Sequence, residues 1–441
     1  MRNDILIHNG ILLTMEDGLP VIENGFVHIK QDKIADCGPA VPEQIRNLAQ
    51  NGATQIDACG GIIMPGLVNG HTHTPMSMFR GLADDLPLDV WLNAHIFPAE
   101  ARDITPESVA QWTAHSCKEM LAGGITTCCD GYFLESHAAQ AMADTGIRAV
   151  AGQGVIDFPA PGVPDPSSNI NHAKDFIEKT STLSPRITPS LFCHSPYTCS
   201  KQTLVAGKNL AREKGVLFQI HAAETRAEPG MIKENRGLSV IAYLDSLGIL
   251  DPDTLLIHCV WLDENDIEII AKRGCGVIHC PESNMKLASG VAPVPDMIAA
   301  GLTVGLGTDG CASNNDQDMF SEMDTAAKLH KAVRLDPCVM DARTCLKMAT
   351  IDGARALGLA DVTGSIRPGK AADIIVVDTT GLHMIPMHDP FSGLVYAARA
   401  SDVSWVMING KMRLKKSPPV HSLPQKNLGN NNSFFNKVSI C

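Results

Sequence analysis

Apolar runs alternate with helical stretches through the middle of the chain, between residues 60 and 365. Strands that alternate with helices in this way predict a parallel β-sheet. Eight of the runs predict strands, and each of them ends in a polar or metal-capable residue. These residues are His71 with His73, Asp130, Gln153, His194, His221, His258, His279 and Asp309. Functional side chains at the carboxyl ends of eight strands are typical of a (β/α)8 barrel of the TIM type.

A doubly wound open sheet is the alternative architecture for this region. It favours a glycine-rich phosphate-binding turn after its first strand, and no such turn follows the first apolar run, Ile62–Val68. We therefore expect an α/β protein whose residues 61–365 form a (β/α)8 barrel.

Short strand-like segments lie at both ends of the chain. The N-terminal part contains several of them, with turn signals such as Asp17-Gly18, and similar segments return at 404–410. We expect residues 1–60 and 366–415 to form together one small β-sandwich domain beside the barrel. The last residues, 416–441, are rich in Pro and Asn and predict a disordered tail.

Composition narrows the function classes. The 441 residues carry a net charge of -12, which argues against a nucleic-acid partner because such a partner requires a basic surface. No apolar stretch approaches the roughly 20 residues of a membrane span, and we see no export signal. The 14 cysteines are scattered without a CxxC pair, so we expect reduced thiols in the cytoplasm. The sequence leaves open whether the chain forms a homo-oligomer.

Two histidines separated by one residue, His71 and His73, follow the first barrel strand. Because side chains alternate along a strand, both point the same way and can bind one divalent transition metal. An HxH pair alone is a weak signal, but His221, His258 and Asp309 end other strands of the same barrel. Three histidines and a carboxylate around one ion leave a position open for water, as a catalytic metal site requires.

Six motifs spread along the chain resemble the amidohydrolase superfamily, and most closely its methylthioadenosine/S-adenosylhomocysteine deaminases. The motifs are Pro65–Met76 (PGLVNGHTHTPM), His194–Ser200 (HSPYTCS), His221–Thr225 (HAAET), His258–Val260 (HCV), His279–Leu287 (HCPESNMKL) and Gly307–Asn315 (GTDGCASNN). Any one of them is weak, but the set is specific and the similarity covers about residues 4–415.

The resemblance implies one divalent metal ion bound by His71, His73, His221 and Asp309. Zn²⁺ is the expected ion, and Fe²⁺ or Mn²⁺ would also suit these ligands. Many members of the superfamily hold two metals bridged by a carboxylated lysine at the end of the fourth strand. Here that strand ends at His194 with no lysine, which favours a single metal and a deaminase.

The resemblance also implies the catalytic roles. Glu224 would protonate the ring nitrogen, Asp309 would take the proton of the attacking water and pass it to the departing ammonia, and His258 would orient that water.

Four further residues are implied to bind the substrate. Glu100 would accept hydrogen bonds from the ribose hydroxyls, and His194 would contact the purine or the ribose. Trp91 would offer the purine an apolar wall, and a buried core anchor is the second, slightly less favoured role for it. Gln153 aligns with an arginine that holds the homocysteine carboxylate in relatives that accept S-adenosylhomocysteine.

The implied reaction converts 5'-substituted adenosines to the inosine product and ammonia. The neutral Gln153 favours 5'-methylthioadenosine, with adenosine and S-adenosylhomocysteine as further candidates. One alternative is an amidohydrolase of another aminoheterocycle, such as a triazine or guanine, but a free base has no ribose for Glu100 to bind. A non-catalytic barrel that serves as a scaffold is disfavoured because every metal ligand and Glu224 are present.

Overall fold

The computed structural model describes residues 4–86 and 90–416. The disordered tail predicted for residues 416–441 lies outside this part of the chain, apart from Lys416. The strands are β1 Asp4–Leu12, β2 Ile22–Lys30, β3 Lys33–Pro39, β4 Thr54–Asp57, β5 Ile62–Pro65, β6 Leu67–Thr72, β7 Ile125–Tyr132, β8 Arg148–Val155, β9 Ile187–Cys193, β10 Phe218–Ala222, β11 Thr254–His258, β12 Gly276–His279, β13 Thr303–Leu306, β14 Ile374–Val377, β15 Val403–Ile408 and β16 Lys411–Lys415.

The helices lie mostly between the strands of the middle region. They are α1 Pro42–Gln50, α2 Phe97–Asp103, α3 Pro106–Ala122, α4 Glu135–Thr145, α5 Asn169–Thr180, α6 Lys201–Lys214, α7 Ala227–Arg236, α8 Val240–Ser246, α9 Glu264–Arg273, α10 Pro281–Lys286, α11 Val294–Ala299, α12 Cys311–Asn314, α13 Met319–Arg334, α14 Ala342–Met348, α15 Ile351–Ala356 and α16 Pro390–Ser392. Within the described residues, no helix combines the length and the apolar composition that crossing a membrane requires.

Strands β6 to β13 form one parallel sheet in chain order, and the predicted (β/α)8 barrel is confirmed. The two end strands meet through the backbone N–H of Asp309, which donates to the carbonyl of His71 at 3.0 Å. Asn69 adds a side-chain link, because its Oδ1 accepts from the N–H of Thr308 at 3.0 Å. This closure brings the first and last strand ends, with their candidate metal ligands, to one point.

The helices around the barrel begin and end at residues that fix their limits. Ser200 caps α6 by accepting a hydrogen bond from the N–H of Thr203, and α6 ends at Gly215 with φ +63°. Asp263 caps α9 in the same way, and Gly274 ends it with φ +73°. Such caps satisfy N–H groups that have no partner inside the helix, and glycine adopts the left-handed conformation without a Cβ clash.

The apolar run Ile62–Val68 differs from the sequence prediction, because it forms two strands rather than one. Strand β5 pairs with β14 and β1 in the second sheet, and β6 starts the barrel at Leu67. The partner changes at Gly66, whose N–H donates to Asp373, whereas the next N–H donates to Gly124. A Cβ on Gly66 would lie 2.1 Å from the side chain of Thr126, so the crossing requires glycine. The domain limits remain predictions.

Both ends of the chain build the second sheet, as the sequence predicts. Its order is β16-β15-β14-β5-β1-β2-β3, with β4 beside β1. Ile34 of β3 and Met407 of β15 lie almost at opposite edges of this sheet, yet both belong to one buried apolar cluster with Ile63. The sheet therefore curls over its own core, as the two layers of a sandwich do.

A buried ion pair joins the second sheet to the amino-terminal end of the barrel. The Nε of Arg148, the first residue of β8, donates to Asp373 Oδ2 at 2.7 Å, and the Arg148 side chain is 5% exposed. Asp373 Oδ1 also accepts from the N–H of Asn409 at 2.9 Å. Arg148 is thereby held at the opposite end of the strand from the candidate site.

Candidate active site

The four predicted metal ligands converge at the carboxyl ends of β6, β10 and β13. Asp309 Oδ1 lies 3.4 Å from His71 Nε2 and 3.3 Å from His73 Nε2, and His221 Nε2 lies 3.1 Å from His71 Nε2. Two ligands that each lie about 2.1 Å from a tetrahedral ion are about 3.4 Å apart. The spacing and the chemistry of these donors therefore fit one divalent transition-metal ion.

Two hydroxyl groups orient the carboxylate of Asp309. Ser283 Oγ and Ser313 Oγ donate to its Oδ2 at 2.7 and 2.9 Å, so that Oδ1 is left to face the histidines. The backbone of Asp309 is left-handed, with φ +62°. Such backbone strain is concentrated at functional sites. Neither serine was singled out from the sequence, although both lie within the quoted motifs.

The imidazoles are held in the form that binds metal. His73 Nδ1 donates to the carbonyl of Gly131 at 2.6 Å, which leaves a lone pair on Nε2. Burial lowers the pKa of His71 to about 3, so this ring is neutral, as a metal ligand must be.

An aromatic ring lies beside the histidines at the end of β9, in the strand where two-metal members carry a lysine. Phe192 is the penultimate residue of this strand, and its ring centroid lies 5.0 Å from that of His221 and 6.2 Å from that of His71. A phenyl ring offers no ligand atom, so Phe192 itself cannot bind a metal ion.

Glu224 and His258 face each other beside the metal ligands. Glu224 Oε2 lies 3.7 Å from His258 Nε2, and the Glu224 side chain is 12% exposed. Burial, reinforced by the charge of Asp309, raises the pKa of Glu224 to about 8. The carboxyl group therefore holds its proton at neutral pH, as a general acid must.

Neighbouring residues fix the positions of this pair. The N–H of Glu224 donates to Glu228 Oε2 at 2.9 Å, and Asn284 Nδ2 lies 3.2 Å from His258 Nδ1. The backbone of His258 is left-handed, with φ +74°. Sequence reasoning did not identify Glu228 or Asn284, and the only available signal was their place near the HAAET and HCPESNMKL motifs.

A cavity of about 520 Å³ opens onto these groups, which is within the usual size range of a small-molecule site. Its inner end is lined by His73, His221, Glu224, His258 and Asp309. Its outer part is apolar, with Phe97 and Phe158 in edge-to-face contact at 5.8 Å between ring centroids, near several prolines of the loop after β8. Among the described residues, no Lys or Arg lines this cavity.

Three of the four predicted substrate-binding residues line the cavity. Trp91 is one of them, and its side chain is buried. Glu100 lies on α2 and accepts a hydrogen bond from the hydroxyl of Tyr132. Burial raises the pKa of Glu100 to about 7. His194 Nδ1 lies 3.0 Å from Thr198 Oγ1, and its ring meets His221 edge-on at 5.2 Å. Sequence reasoning did not single out Tyr132, which lies two residues beyond Asp130 in β7.

Gln153 is not brought to the cavity. Its Nε2 donates to the carbonyl of Gly154 at 3.1 Å, and its Oε1 accepts from the N–H of Glu135 at 3.3 Å. The side chain is thus tied to the backbone at the start of α4. Its role in substrate binding stays a prediction.

A parallel (β/α)8 barrel whose carboxyl end gathers three histidines and an aspartate defines a class of metal-dependent hydrolases. The family model of the Amidohydrolase family matches residues 62–413, and the chain belongs to this family. The resemblance stated from the motifs is therefore confirmed.

Relatives of known function cover nearly the whole chain. The chain is 45% identical over 412 residues to a 5-methylthioadenosine/S-adenosylhomocysteine deaminase of Syntrophobacter fumaroxidans, with 93% of each chain covered. It is 42% identical over 413 residues to a 5'-deoxyadenosine deaminase of Methanosarcina mazei, again with 93% of each covered. Among solved structures, an adenosine deaminase of Xanthomonas campestris with bound zinc matches with a TM-score of 0.89 and 38% identity, covering 93% of both chains.

Proposed function

We propose that this chain hydrolyses the C6–N bond of 5'-substituted adenosines and releases ammonia and the corresponding inosine. 5'-Methylthioadenosine is the favoured substrate, adenosine is also accepted, and S-adenosylhomocysteine is a poorer one. The observation that carries the proposal is the Glu224 carboxyl group, 3.7 Å from His258 and beside the converging candidate metal ligands, in a cavity that Glu100 also lines. The relatives support it, because the names of all three refer to adenosine nucleosides.

His71, His73, His221 and Asp309 would hold a divalent ion, for which we propose Zn²⁺. When bound, such an ion supplies a water molecule whose pKa is lowered to about 7. The zinc of the Xanthomonas campestris relative supports this choice of metal.

The residues of the chain divide the proton transfers between them. Glu224 gives its proton to ring nitrogen N1, which makes C6 able to accept the water oxygen. His258 orients that water. Asp309 takes one proton from the water and passes it to the amino group, so that the C6–N bond breaks and ammonia leaves. The remaining proton of the C6 hydroxyl returns to the Glu224 carboxylate, so that C6 becomes a carbonyl and Glu224 regains its acid form. The two hydroxyl bonds to Asp309 Oδ2 leave Oδ1, the oxygen that faces the histidines, as the atom that would both bind the ion and accept this proton.

We predict one bound ion per chain. The end of β9 carries no lysine, the residue that the resemblance implies for a two-metal site, so protein purified without added metal should carry close to one equivalent by elemental analysis. His221→Ala should lower this content, whereas His172→Ala, which changes an exposed histidine on α5, should not. Two tightly bound ions per chain would contradict this prediction.

The alternative substrate class, a triazine or guanine, is disfavoured by the site and by the relatives. Glu100 is a buried carboxylate in the cavity, and a free base offers it no hydroxyl groups. The test is ammonia release from adenosine, 5'-methylthioadenosine, S-adenosylhomocysteine, guanine and a triazine under one set of conditions. We expect the adenosines to react, and turnover confined to guanine or the triazine would overturn the proposal.

We propose that the protein works in the cytoplasm. The cysteines of the described residues are all free thiols, and most of them are buried. Reduced thiols suit a reducing compartment.

A further inference from the structure

Tyr132 and Glu100 form a hydrogen-bonded pair at the wall of the cavity. The tyrosine ends barrel strand β7, and the glutamate lies on α2, outside the barrel strands. The tyrosine hydroxyl donates to Glu100 Oε1, and the residues are 4% and 6% exposed. Both residues line the cavity. Within the part of the chain that the structure describes, this is the one hydrogen bond recorded for the Glu100 side chain.

With Glu100 ionised, the pair offers hydrogen-bond acceptors and no free donor. A phenol has one O–H, and Tyr132 uses it on Glu100, but the phenolic oxygen keeps lone pairs that can accept. A carboxylate has two oxygens, and Oε2 of Glu100 is left to accept as well. A ligand that satisfies both acceptors must bring two donors that lie close together.

A vicinal diol brings two such donors. Resting on the proposed nucleoside function, we propose that Tyr132 is a further substrate-binding residue: its phenolic oxygen accepts from one ribose hydroxyl while Glu100 Oε2 accepts from the other. The position suits this role, since the ring centroids of Tyr132 and His73 lie 6.2 Å apart, which places the pair beside the metal end of the cavity. Each hydroxyl therefore has its own partner, rather than both sharing one carboxylate.

The assignment makes a specific expectation for adenosine and its 2'-deoxy and 3'-deoxy analogues. In Tyr132→Phe, KM for adenosine should rise by about 3–10-fold, the effect of one neutral hydrogen bond, with kcat within about twofold. The KM of one of the two deoxy analogues should be unaffected by Tyr132→Phe, because that analogue already lacks the hydroxyl that Tyr132 binds. The KM of the other deoxy analogue should be unaffected by Glu100→Gln, because that analogue already lacks the hydroxyl that Glu100 binds.

A control variant and the comparison of the three nucleosides separate recognition from a general loss of structure. Tyr243→Phe changes a buried tyrosine on α8 that does not line the cavity, and it should leave all three KM values unchanged. If Tyr132→Phe raises KM by one common factor for adenosine and both deoxy analogues, the tyrosine only positions Glu100 and our assignment is overturned. If the unaltered enzyme deaminates none of these nucleosides, the proposed function fails instead.

A measurement on the unaltered enzyme keeps the assignment testable should Tyr132→Phe not fold. Adenosines with fluorine in place of the 2' or the 3' hydroxyl cannot donate a hydrogen bond at that position. Because the pair presents only acceptors, each fluoro analogue should be turned over no better than its deoxy counterpart. A fluoro analogue that recovers the kcat/KM of adenosine would show that this hydroxyl acts as an acceptor, which contradicts the assignment.

Discussion

Glu224→Gln is expected to lower kcat by about 10²–10⁴-fold while the protein keeps its fold and its metal content. Glutamine preserves the size of the side chain but has no proton to give to the purine ring. The turn that carries residue 224 should persist, since its N–H donates to Glu228 Oε2 through the backbone. Steady-state kinetics with 5'-methylthioadenosine, together with elemental analysis of the same preparation, measures both effects.

The matched control for this prediction is Glu213→Gln. Glu213 lies on α6 with a side chain that is 66% exposed, and its replacement should leave kcat unchanged. If Glu224→Gln keeps kcat within about threefold of the unaltered enzyme, another group is the acid. A loss of activity that merely follows a loss of metal would also contradict the assigned role.

We expect 5'-methylthioadenosine to exceed S-adenosylhomocysteine in kcat/KM by about 30- to 1000-fold. The homocysteine carboxylate needs a cationic partner, and the absence of a charge-assisted bond costs ~2–4 kcal/mol. The methylthio group is short and apolar and needs no such partner. The apolar outer part of the cavity, with Phe97 and Phe158, suits it.

The nearby cations are engaged elsewhere. Arg148 is bound to Asp373 at the amino-terminal end of β8. Arg226 is exposed on the loop after β10, and its guanidinium lies 5.9 Å from the ring centroid of Trp261. Gln153 is neutral, and its side chain is bonded to the backbone.

Comparing kcat/KM for the two thioethers tests this preference. Equal values, or a preference for S-adenosylhomocysteine, would mean that a positive group faces the 5' end of the substrate. Phe158→Arg supplies such a charge at the outer wall and should raise kcat/KM for S-adenosylhomocysteine selectively. Phe158→Met, which removes the ring without adding charge, should not do so.

The barrel and the polar residues that end its strands could be predicted because the relevant physics is local. A buried parallel strand is an apolar run, and the polar residue that ends it marks the carboxyl edge of the sheet. Histidines two apart at such an end must share a face, as His71 and His73 do. The sequence does not indicate that Ile62–Val68 divides into two strands of different sheets. Every residue of this run is buried, so no alternation of polar and apolar positions marks the end of one strand and the start of the next.

The supporting side chains could not be predicted, because their roles depend on contacts between distant segments. Ser283 reaches Asp309 from another strand end, and Tyr132 meets Glu100 across 32 positions of sequence. The left-handed backbone of His258 and Asp309 has no sequence signature either, since non-glycine residues adopt it only when the surrounding fold compels them.

The most direct test of the proposed function is the fate of oxygen in the reaction. Metal-loaded enzyme should convert 5'-methylthioadenosine in ¹⁸O-enriched water to 5'-methylthioinosine, with one ammonia released per nucleoside and the label at C6. Mass spectrometry of the product and an ammonia assay of the same sample measure both. A product without the label, or the absence of any conversion by enzyme that carries its metal, would contradict hydrolytic deamination by this site.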